Sequence, residues 1–120
     1  MLVLVDTSIW VSHLTRGNNA LRALLERGEV SCHPLVIGEL ACGSIANRAE
    51  ILSLLQELPQ TRVAEHAEVL RFIEARRLSA RGLGFIDAHL LASSVLTKVP
   101  LWTADKRLRE AAYELCVAYT

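Results

Sequence analysis

Cysteine is scarce in this chain. Cys32, Cys42 and Cys116 are scattered and odd in number, with no CxxC pair and no Cys/His ligand spacing. That excludes a disulfide framework and a thiolate metal site, and reads as small apolar side chains in a reducing compartment. Charge of one sign is lacking too. The 13 basic and 13 acidic residues leave no net charge, so no global basic field advertises a nucleic-acid partner and any such contact must be local. No apolar run reaches membrane-spanning length. The first apolar run has no basic region before it and is interrupted by Asp6, unlike a signal peptide. No internal repeat, low-complexity segment or linker appears. The expectation is a soluble, cytoplasmic protein with one domain over residues 1–120.

Apolar residues are plentiful. At 52% hydrophobic, the chain can bury a sizeable core. Short apolar stretches alternate with amphipathic ones. Strands are expected at 2–5, 30–32, 61–64, 99–103 and 115–119. Helices are expected near 9–14, 20–27, 34–43, 47–58, 65–79, 85–96 and 105–112, the first capped by Thr7 or Ser8. Arg81-Gly82-Leu83-Gly84 reads as a flexible joint. This alternation implies an α/β fold with a mainly parallel five-stranded sheet covered on both faces. In such folds ligands sit beyond the carboxyl ends of the strands.

Most of the acids lie on helix faces beside arginine or on loops, as solvated charge does. Four are out of place. Asp6 ends the first strand, Leu2-Val3-Leu4-Val5. Glu39 sits within Leu35-Val36-Ile37-Gly38-Glu39-Leu40-Ala41-Cys42, and Asp87 within Phe85-Ile86-Asp87-Ala88-His89-Leu90. Asp105 follows Leu101-Trp102-Thr103-Ala104. Taken singly, Asp105 reads as a helix cap and Asp87 as a first-turn acid. Asp6 reads equally as cap or ligand, while Glu39 is hardest to dismiss because its neighbours are apolar. Taken together, all four fall on the edge of the sheet where strands end and helices begin. Clustered carboxylates resist ionisation. A divalent cation removes that conflict, and hard oxygen ligands suit Mg2+ or Mn2+.

Val5-Asp6-Thr7-Ser8-Ile9-Trp10, Ile37-Gly38-Glu39-Leu40, Asp87-Ala88-His89-Leu90-Leu91-Ala92 and Leu101-Trp102-Thr103-Ala104-Asp105 stand in the order and spacing of the PIN-domain nucleases. Within these the chain resembles the VapC-type toxins of prokaryotic toxin–antitoxin pairs. The resemblance covers nearly the whole chain. It implies a three-layer α/β/α domain and Mg- or Mn-dependent endoribonuclease activity. It implies Asp6, Glu39, Asp87 and Asp105 as catalytic and metal-binding acids, with Ser8 and Thr103 as polar supports. It also implies a homodimer and a cognate VapB-type antitoxin. Leu108 stands where many relatives carry an aromatic residue, a departure expected to touch packing rather than chemistry.

RNA must also be held. Lys106 and Arg107, with Arg109, start at the expected edge and are candidates for phosphate contacts; Arg76, Arg77 and Arg81 precede the joint, and each of the six reads equally as solubilising helix surface. Trp10 and Trp102 are able to stack on bases, but both have apolar neighbours and read rather as core or dimer packing. His13, His33, His66 and His89 share no ligand spacing and read as structural or surface residues. No GxSxG occurs, and a hydrolase triad is not indicated. A haloacid-dehalogenase-like phosphatase is a poor fit, since Ser8 stands where a second Asp belongs. The rival that remains is a catalytically silent PIN-like module that binds RNA or protein.

Overall fold

The computed structural model describes every residue from Met1 to Thr120. Val3–Val5 form β1, with each residue at most 2% exposed. Alternate strand residues point to opposite faces, so both faces of the sheet are covered there. β1 pairs in parallel with β2 (Val30–Ser31) on one side and β3 (Leu101–Trp102) on the other. The chain therefore runs outward from β1 to β2, then returns to β1's other side. The gap between β1 and β3 is the point where strand order reverses, the usual place for a ligand site.

Seven helices join and flank the strands: α1 (Thr7–Arg16), α2 (Asn19–Glu26), α3 (Pro34–Cys42), α4 (Arg48–Glu57), α5 (His66–Ala75), α6 (Phe85–Thr97) and α7 (Lys106–Glu114). Local chemistry sets several of their ends. Gly17 takes φ +81° after α1, and Asn18 caps α2 by accepting the Leu21 N–H at 3.0 Å. Pro34 opens α3, where its missing N–H has no partner to lose. α1, α3 and α4 pack together, as do α5, α6 and α7. α6 is the most enclosed, with every residue from Ala88 to Ser94 buried. Asp87 stands just before that run.

The sheet has three strands, not five. Residues 61–64 were expected as a strand, but only a single bridge forms, between Cys32 and Gln60. Beyond it the Arg62 carbonyl accepts the Ser93 hydroxyl of α6 at 2.7 Å, which turns that stretch away from the ladder. Residues 115–119 likewise contribute one bridge, Leu101 to Ala118. The Val99 N–H already serves the Ser94 carbonyl, and Cys116 takes φ +60°, so pairing cannot extend backward. The expected joint at 81–84 is pinned. Arg81 pairs with Glu114, and the Arg107 side chain lies over Gly82, where a Cβ would clash with it.

Candidate active site

Asp6 is buried at the end of β1, 6% exposed. It occupies the N-cap position of α1, but its side chain caps nothing; the expected caps, Thr7 and Ser8, are the first residues of the helix itself. Instead the Asp6 Oδ2 atom accepts hydrogen bonds from the Ser8 hydroxyl at 2.8 Å and the Thr103 hydroxyl at 2.7 Å. Those hydroxyls are themselves aimed by backbone. The Ala104 N–H donates to Ser8 Oγ and the Asp105 N–H to Thr103 Oγ1, each at 3.0 Å. With both hydroxyl protons directed at Asp6, the 3.3 Å approach of Ser8 to Thr103 has no proton of its own. A buried carboxylate without such donors would be costly. Oδ1 accepts no hydrogen bond from the chain.

The other acids are each tied by one oxygen. Asp87, partly buried in the first turn of α6, accepts the Gly84 N–H at 2.9 Å through Oδ2. Asp105 caps α7, accepting the Leu108 N–H at 3.0 Å through Oδ1. The single-residue explanations of these two are thus realised, and each still has its second oxygen. Glu39 is exposed rather than enclosed by its apolar neighbours, because it lies on the outer strip of α3. Its Oε1 accepts the Thr7 hydroxyl at 2.8 Å, which links α3 to the start of α1. Thr7 was visible beside Asp6, but nothing in the sequence paired it with Glu39.

Electrostatics connect the four. The Asp87 carboxyl is held above the usual carboxylate range, first by burial, then by the charges of Asp6, Asp105 and Glu39 in that order, against the bond from Gly84. The all-oxygen donor set suits a hard divalent cation, whose charge would relieve this repulsion. As the side chains stand, no three of the acidic, histidine or cysteine groups surround one point closely enough to hold an ion. Three of the four carboxylates are turned partly toward hydroxyl or backbone donors within their own helix boundaries.

Lys106 and Arg107 are exposed at the start of α7, next to Asp105. Trp10 is buried in the core and the partly buried Trp102 packs on Tyr119 with ring centroids 5.3 Å apart. His33 and His89 are buried and His66 is exposed, and none joins the acidic edge.

A parallel α/β domain with carboxylates gathered at its switch point is the class these features define. A family model described as the PIN domain matches residues 3–113, and the chain belongs to that family. Ribonuclease VapC32 of Mycobacterium tuberculosis, in each of two strains, is 51% identical over 118 residues, spanning 98% of this chain and 95% of the relative. The crystal structure of PAE2754 from Pyrobaculum aerophilum has the same fold. It superposes with a TM-score of 0.65 at 19% identity, covering 97% of this chain and 90% of that one.

Proposed function

We propose that this protein is an endoribonuclease, the toxin of a toxin–antitoxin pair, that hydrolyses RNA phosphodiester bonds with Mg2+ or Mn2+ held by Asp6, Asp87, Asp105 and Glu39. The observation that carries this reading is the state of Asp6. A buried carboxylate is fixed through one oxygen by two hydroxyls, its other oxygen is unbonded, and three further acids share its edge. A structural cap would have accepted a backbone N–H of the helix, and this one does not. The 51% identity to a protein named a ribonuclease supports the activity.

When bound, the ion lowers the pKa of a coordinated water and offsets charge on the scissile phosphate. Ser8 and Thr103 keep Asp6 in one orientation, so this ligand is set before the ion arrives, while the other acids turn toward it. Asp87 is the second firm ligand, since relief of its raised pKa favours the ionised, ligating form. Glu39 binds the ion or orients the attacking water, and Asp105 completes the set. Lys106 and Arg107 contact backbone phosphates of the RNA. The partner is a VapB-type antitoxin that covers the acidic edge, the assembly a homodimer and the compartment the cytoplasm. No helix is long and apolar enough to cross a membrane.

Chelation tests the reading. Purified protein with total RNA and manganese should yield fragments bearing 5′-phosphates. EDTA should stop the reaction and excess Mg2+ or Mn2+ should restore it. Cleavage that survives EDTA undiminished would sink the assignment.

A further inference from the structure

Beside the acidic edge lies a cavity of about 270 Å³ between α1 and the C-terminal end of α3. One stripe of α1 faces it: Thr7, Val11, Leu14 and Thr15, spaced as one helix face. Leu40 and Ile45 close the apolar side. Glu39 and Thr7, already joined by a hydrogen bond, belong to its wall. The cavity is therefore contiguous with the carboxylates through Glu39.

We propose that this cavity receives one unpaired base of the RNA, next to the bond that is cut; this rests on the nuclease reading above. Several features favour a base over other parts of the substrate. The volume lies just under the roughly 300–1,000 Å³ of pockets that enclose drug-sized ligands, which suits a single ring system. No lysine or arginine lines it, and Glu39 brings negative charge, so a phosphate is repelled. A neutral base is not, and its N–H edges are donors for the Glu39 carboxylate and for hydroxyl oxygens. Thr15 gives its proton to the Val11 carbonyl at 2.8 Å and keeps its lone pairs. Ser44, also in the wall and exposed, presents its hydroxyl there. Val11, 44% exposed, is an apolar surface in position to meet a ring face. RNA recognition by proteins works mainly on such splayed, unstacked bases.

The probe is a short unstructured RNA of mixed sequence, and the same RNA with one abasic site beside the scissile bond. Val11→Trp and Ser44→Phe, at exposed positions on opposite walls, fill the cavity without entering the core. Removing the base should lower kcat/KM of the unaltered protein roughly ten- to hundredfold. Each variant should lose a similar factor on the intact RNA, and the abasic penalty should vanish in both, since the two changes remove one contact. An equal penalty in the unaltered protein and both variants overturns the subsite while leaving the nuclease reading intact. So do variants that cut both RNAs at the unaltered rate, as they would if the cavity took a protein side chain instead. Failure of the unaltered protein to cut any RNA overturns both.

Discussion

Asp6 and His33 stand at similar places: each follows a strand, each is buried, and each occupies the N-cap position of the next helix. Their bonding is opposite. His33 is saturated. Its Nδ1 accepts the Leu35 N–H at 3.0 Å, which fixes the proton on Nε2, and Nε2 donates to Ser93 Oγ at 3.1 Å. Ser93 passes its own proton to the Arg62 carbonyl. The ring thus ties β2 and α3 to α6 and to the stretch after Gln60. Asp6 is pulled sideways by Ser8 and Thr103, leaves the helix uncapped and keeps an oxygen free. A buried polar group whose capacity is fully used holds the fold together, while one held but left incomplete is available for chemistry.

The largest expected effect breaks the comparison at Asp6. Asp6→Asn should lower metal-dependent RNA cleavage by at least about a hundredfold, in line with the several kcal/mol a catalytic ion supplies. Its melting temperature should be unchanged or higher, because a buried charge has gone. The same operation at His33 should do the reverse. His33→Ala removes a buried ring and orphans the Leu35 N–H, and should cost about 2–4 kcal/mol in urea unfolding. What remains folded should keep most of its cleavage activity.

Acid sharpens the contrast further. Burial, then the charge on His89, hold the His33 pKa down at about 4, against 6.5 for a free side chain. The unfolded chain takes up that proton below 6.5 and the folded chain only near 4. Stability should therefore fall as pH drops through this window, by up to about 3 kcal/mol. His33→Gln should flatten that part of the stability profile; an unchanged slope would assign the acid sensitivity elsewhere. The smallest effect is at the support. Thr103→Val keeps the shape but removes one donor to Asp6 and the acceptor for the Asp105 N–H. A loss of about 1–2 kcal/mol in stability is expected, with cleavage down about tenfold and manganese affinity weakened.

Much of this was legible in sequence because it is local. The apolar run before Asp6, the proline opening α3 and the Gly17-Asn18 break each specify their own neighbourhood, and the structure places all three as expected. The acids could be assigned to one edge because parallel connectivity fixes where strands end. The two lost strands were not legible. Their fate depends on Ser93 taking the Arg62 carbonyl and on Ser94 taking the Val99 N–H, contacts between residues far apart or at a helix end. Glu39 stands out in sequence because apolar residues flank it, yet it is exposed, since on a helix immediate neighbours face different directions. His33 was read as structural or surface. Its partner Ser93, sixty positions away, is visible only in three dimensions.

Calorimetric titration of manganese is the most direct test of the claim that Asp6 is left open for an ion. The unaltered protein and His33→Gln should both bind, and Asp6→Asn should not, while its melting temperature stays at or above that of the unaltered protein. Manganese binding to Asp6→Asn with undiminished affinity would contradict the account.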